Sequence, residues 1–87
     1  MSNPSNFTAV CVATDTGYRL RVLSEGRDLV RLDLDDWEEF RPASAGHRLI
    51  EHGYTIRPDQ RSADTVAGWR AIPAQGRAWS TIAVPTG

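Results

Sequence analysis

The stretch YRLRVLSEGRDLVRLDLDDWEEF, Tyr18 to Phe40, decides how this chain folds. Two of its runs, Tyr18-Arg19-Leu20-Arg21-Val22 and Val30-Arg31-Leu32-Asp33-Leu34, alternate apolar with polar residues. Successive side chains of an extended strand point to opposite faces, so each run reads as a half-buried β-strand. The runs meet at Ser24-Glu25-Gly26-Arg27, a turn signal, and together they read as a hairpin. Its register follows from parity, because a slip of one residue moves a strand's whole apolar set to the wrong face. A two-residue Glu25-Gly26 loop would set Leu20 opposite Arg31 and Val30 opposite Arg21, whereas a loop of three or five residues sets Val22 against Val30, Leu20 against Leu32 and Tyr18 against Leu34. The odd loop is expected. It places Arg19 opposite Asp33, a favourable cross-strand pair, and Arg21 opposite Arg31, which calls for an anion or carboxylate between them.

Upstream, Phe7 to Thr14 (FTAVCVAT) is apolar and β-branched and stops at Asp15-Thr16-Gly17. A three-residue hairpin loop wants a residue of positive φ at its close, and Gly17 stands there. That loop would pair Thr14 with Tyr18, Val12 with Leu20 and Val10 with Val22. The expected meander then has one strongly apolar face of Val10, Val12, Tyr18, Leu20, Val22, Val30, Leu32 and Leu34. Its reverse face carries Ala9, Cys11 and Ala13 beside Arg19, Arg21, Arg31 and Asp33.

Downstream, Asp35 or Asp36 is a candidate N-cap with Glu38 or Glu39 three residues on, and four acidic side chains suit the positive end of a helix. Pro42 must end or kink that first turn. Ala43 to His52 then reads as the main helix, with Ala45, Leu49 and Ile50 placed to pack and Gly53 as its C-terminal cap. Tyr54 to Arg57 reads as a fourth strand and Pro58 to Asp64 as a polar loop. Val66 to Ile72 and Ala78 to Val84 read as a last hairpin across Pro73-Ala74-Gln75-Gly76. The element order β-β-β-α-β-β-β implies a small α+β domain, an antiparallel sheet of five to six strands with one main helix. An OB-like small barrel shares that order and is the alternative. Residues 1–6 read as a disordered lead and 7–87 as a single domain.

At 87 residues, 40% hydrophobic and 24% charged with net charge -1, the composition is that of an ordinary globular domain. No apolar run has the length of a membrane-spanning helix and the first residues lack the pattern of a signal peptide, so cytoplasmic location is the default. The single cysteine, Cys11, allows no internal disulfide, which fits that compartment. All ten basic residues are Arg. Without Lys the chain has no Walker A or Schiff-base lysine of its own. Near-zero net charge argues against strong non-specific binding to DNA.

No motif of high catalytic specificity emerges, and neither cofactor nor metal is expected. The acidic run lacks the spacing of an EF-hand loop: Trp37 and Glu38 stand where a ligand and a glycine are needed. His47 and His52 are five apart, too far around a helix to chelate one ion. Two surfaces remain. Asp35, Asp36, Glu38 and Glu39 around an exposed Trp37 would dock a basic protein partner. Arg19, Arg21 and Arg31 on the sheet, or Trp69, Arg70, Arg77 and Trp79 near the carboxyl end, would hold single-stranded nucleic acid by stacking and phosphate contacts. The competing account of Trp69 and Trp79 is that so short a chain needs them for its core. The reading is a small, non-enzymatic cytoplasmic interaction protein, a regulator or inhibitor working by contact with another protein or with its own copy, and with no membrane role. The single-stranded nucleic-acid module is the alternative.

Overall fold

A computed structural model describes residues 6–73 and 77–86. The strands β1 (Phe7–Ala13), β2 (Tyr18–Ser24) and β3 (Arg27–Leu34) are followed by α1 (Pro42–Glu51). Then come β4 (Tyr54–Ile56), a 3-10 turn at Pro58–Gln60, the short β5 (Arg70–Ala71) and β6 (Ala78–Pro85). These form the expected small α+β fold: a six-stranded antiparallel sheet and one helix. The sheet runs β3-β2-β1-β6-β4, with β5 also paired to β6. The path is open, with β3 and β4 at its ends, so the described residues do not form the alternative barrel. No helix among them is long and apolar enough to cross a membrane.

The β2–β3 hairpin has the register that parity demands: Val22 faces Val30, Leu20 faces Leu32, Tyr18 faces Leu34 and Arg19 faces Asp33. Its loop is nevertheless the two-residue Glu25-Gly26, both at positive φ, 53° and 81°. A bulge reconciles the two, because Leu23 pairs with Asp28 while Val22 pairs with Val30, leaving Leu29 outside the ladder. Arg21 still faces Arg31, and the carboxylate that relieves the pair is Asp28, 2.8 Å from the Arg21 guanidinium.

The β1–β2 hairpin differs from expectation by one residue: Ala13 pairs with Tyr18, Cys11 with Leu20 and Ala9 with Val22. The turn is closed between Thr14 and Gly17, whose carbonyl accepts from the Thr14 amide at 2.8 Å. The Thr14 hydroxyl accepts from the amides of Thr16 and Gly17 at 3.3 and 3.1 Å. A threonine side chain thus stabilises the turn in place of a positive-φ glycine. Gly17 is required for space, since it packs on the backbone of Leu34 and Asp35.

The slip exchanges the faces of β1. Ala9 and Cys11, both fully buried, lie on the covered face with Leu20 and Val22, whereas Val10 and Val12 lie on the open one with Arg19 and Arg21. The covered face carries large aromatic side chains from the connecting segments, and a floor of small residues under them leaves room that valines would fill. Burying Leu20, Val22 and Leu49 completely contributes about 1.5–3 kcal/mol each.

No helical turn forms at the acidic run. Asp35-Asp36 makes a tight turn closed by the Trp37 amide on the Leu34 carbonyl at 3.2 Å, and α1 starts at Pro42 with no acidic residue in its first turn. Pro42 holds Arg41 extended (φ -116°, ψ 91°), and the segment before it forms no helix while Trp37 reaches the core. Ala45 and Leu49 of α1 are buried, but Ile50 is half exposed. Gly53, at φ 90°, ends the helix as expected, donating to the Ile50 carbonyl at 3.1 Å. The strand expected over Val66 to Ile72 is broken by a tight turn at Ala67-Gly68 (φ 51° and 92°), which leaves β5 only two residues. Most of the Pro73 to Gly76 connection lies outside the described residues.

Candidate functional site

Three segments distant in the chain meet at one end of the covered face. Tyr18 opens β2, Phe40 comes from the segment leading to α1, and Trp79 follows the first residue of β6. Phe40 stacks on Trp79 with ring centroids 4.7 Å apart and planes 12° from parallel. It also meets Trp69 edge-on at 5.5 Å and Tyr18 at 6.1 Å. Arg77 is anchored at the start of β6 by its carbonyl, which accepts from the Ala13 amide at 2.9 Å, and its guanidinium lies 5.5 Å above the Tyr18 ring. These side chains, with Pro42 and Val66, wall a groove of about 460 Å³. Pockets of this size, apolar with a few polar groups, are where proteins hold ligands.

Arg77 also borders a second cleft of about 640 Å³, around which Asp15, Asp35, Asp36 and Glu38 are set, all exposed. Arg77 is the one basic side chain lining that cleft. The Thr16 hydroxyl donates to Asp35 at 3.1 Å, tying the β1–β2 turn to the acidic one. An aromatic groove and an acidic cleft are therefore joined at a single arginine.

The structure sorts the residues expected to bind. Asp35, Asp36 and Glu38 are exposed beside the groove, and Glu39 is exposed outside the cleft. Trp37 is not the exposed anchor expected: it is 6% exposed and packs against Tyr18 at 6.3 Å. Trp69 is wholly buried and offers no stacking face to a nucleic acid. Trp79 and Arg77 line the groove, so two of the four residues expected to bind at the carboxyl end do converge, with Tyr18 and Phe40 as unforeseen neighbours. Arg70 is exposed on β5, away from the groove lining.

On the open sheet face, Arg19 donates to Asp33 at 2.8 Å and Arg21 to Asp28 at 2.9 Å, so both guanidinium groups are engaged. Arg31 has no carboxylate within 4.0 Å among the described residues. The Arg19 hydrogen bond holds the Asp33 carboxyl below its ordinary value of 3.8. A depressed folded-state value stabilises the fold above the ordinary carboxyl range, and that contribution disappears as pH falls through 3.8 and below. Urea midpoints measured from pH 6 down to about pH 2 should fall slightly more for the parent than for Asp33→Asn, the two curves converging in acid.

The histidines do not combine: His47 faces Glu51 at 3.4 Å, and His52 Nδ1 lies 3.1 Å from the Arg48 carbonyl. Among the described residues no three His, Cys, Asp or Glu side chains gather where a metal ion could sit. Cys11 is fully buried, and burial pushes its thiol up to about 12. A thiol so high presents almost no thiolate near neutrality. Ellman's reagent at pH 8 should leave the folded protein unmodified and react only as urea unfolds it; prompt labelling in buffer would show that the β1 floor opens.

The chain was compared with known proteins. No family model, curated protein or solved structure matches it. The site's own geometry thus carries the functional argument.

Proposed function

We propose that this protein is a small, non-enzymatic interaction module, a regulator or inhibitor that takes an extended segment of a partner polypeptide into the groove between Tyr18, Phe40 and Trp79. The observation that supports it is that groove: an aromatic-walled channel of about 460 Å³. Half-buried Phe40 and Trp79, beside the buried Tyr18 and with one charged side chain at the margin, have the composition of interface anchors. Single-stranded nucleic acid is a poorer ligand for it. The neighbouring carboxylates of Asp15, Asp35, Asp36 and Glu38 repel phosphate.

A second copy of the chain is likewise a poorer partner. The open face presents Val10, Val12 and Ile82, yet Arg19, Arg21, Arg31 and Arg70 outnumber Asp28 and Asp33 there, so stacking two such faces brings like charges together. We place the activity in the cytoplasm, on the single unpaired thiol of Cys11.

The test is selection of peptides from a random phage-displayed library on the full chain, followed by two-dimensional NMR titration of the winners. Selected peptides should shift Tyr18, Phe40 and Trp79 resonances and leave Val10 and Ile82 unmoved. Selection of nothing, or peptides that perturb only the open face, would overturn the reading.

A further inference from the structure

We infer that the groove's ligand is a proline-rich segment in the polyproline II conformation, carrying a basic residue that reaches the adjoining acidic cleft. The inference rests on the reading of the groove as a peptide site and adds the chemical class of its occupant. Two independent features point to it.

The first is the hydrogen-bonding character of the walls. The polar side-chain groups carried by the lining residues are the Tyr18 hydroxyl, the Trp79 indole N–H and the Arg77 guanidinium. Indole and guanidinium can only donate. The Val66 backbone adds nothing free, because its N–H and C=O are both bonded to Trp69, at 2.8 and 3.0 Å. A peptide entering this channel finds side-chain donors for its carbonyls but few side-chain acceptors for its N–H groups, and an N–H buried without a partner weakens binding. Proline has a carbonyl and no N–H. A proline-rich segment is also extended before it binds, so little conformational entropy is lost, and its rings pack against aromatic walls.

The second feature is charge. Beyond Arg77 lie Asp15, Asp35, Asp36 and Glu38, four carboxylates against one guanidinium. They favour a cation on the ligand, and Arg77 over Tyr18 keeps that cation out of the aromatic channel itself. Prolines in the groove and a basic residue at its end satisfy both halves of the site.

The experiment titrates the full chain with synthetic peptides under NMR observation. One is a run of prolines ended by arginine, the second has glutamate in place of the arginine, and the third keeps the arginine but has alternating glycine and serine for the prolines. An oligothymidylate serves as the nucleic-acid arm. The proline-arginine peptide should bind in the groove roughly five-fold more tightly than its glutamate counterpart at low salt, a difference that shrinks as salt rises. The glycine-serine peptide should bind at least ten-fold more weakly. Asp36→Lys, an exposed site whose change leaves the aromatic wall intact, should abolish the preference for arginine while sparing the preference for proline. The inference is overturned by equal binding of the proline and glycine-serine peptides, by equal binding of the arginine and glutamate peptides, or by oligothymidylate outcompeting all three. If library-selected peptides occupy the groove but lack prolines or basic residues, this inference fails while the peptide-binding reading stands; if no peptide occupies the groove, both fail.

Discussion

Replacing Gly17 by alanine is expected to remove about 3 kcal/mol of stability or more, although glycine to alanine is often a neutral or favourable change. A methyl group at this position would sit on the carbonyl oxygen of Leu34 and 2.8 Å from the Cα of Asp35. Neither neighbour can step aside. Leu34 is held opposite Tyr18 in the β2–β3 ladder, and its carbonyl also accepts the Trp37 amide. Overfilling a packed site costs 1–3 kcal/mol and sometimes more when the obstruction is backbone, a large part of the 5–15 kcal/mol that holds a domain together. At about 4–8 °C per kcal/mol for a chain of this size, the melting temperature should fall by more than about 12 °C. A thermal melt by circular dichroism decides it: an unchanged midpoint would mean that the two turns are not packed as described.

Trp69 gives the other large effect, and here two substitutions must disagree. Trp69→Ala removes a fully buried indole that meets the Phe40 ring edge-on at 5.5 Å and should cost about 3–5 kcal/mol. Trp69→Phe should cost far less, about 1 kcal/mol. The indole N–H is buried with no hydrogen-bond acceptor among the described residues, so its removal relieves an unsatisfied donor worth about 1–3 kcal/mol and offsets part of the lost volume. Urea unfolding followed by circular dichroism measures both. Equal damage from the two variants would show that the N–H makes a bond of its own in solution.

What the sequence disclosed depended on how local the deciding interaction was. The β2–β3 register was legible because two alternating runs beside one turn allow few pairings. The β1–β2 register was misjudged because Gly17 offers two uses, a positive φ and a lack of bulk, and only the neighbouring backbone of Leu34 and Asp35 selects the second. The same error hid which face of β1 is small, since Val10 and Val12 look like core until the aromatic side chains packed with Ala9 and Cys11 are known. Asp35, Asp36 and Glu38 were visible as a charged patch, but the depth of Trp37 depends on Tyr18 across the turn. The groove was out of reach for a similar reason. Phe40 before Pro42 and Tyr18 at a strand start are ordinary features, and they become one wall only once β6 is known to lie beside β1 and set Trp79 opposite Cys11. Arg77 and Trp79 stand out in the sequence, and the fold brings both to one groove.

The bulge at Leu29 bears on the history this hairpin could have had. With Leu23 on Asp28 and Val22 on Val30, the ladder on either side of Leu29 is already that of a regular two-residue hairpin, and Leu29 itself is 47% exposed. A gene that lost this one codon would encode a strand with every remaining side chain on its present face, whereas loss of Arg31 would turn Leu32 and Leu34 outward. Single-residue length variation is therefore admissible at one point of β3 and forbidden two positions later, a pattern that alignment of diverged copies would display as a gap of fixed location.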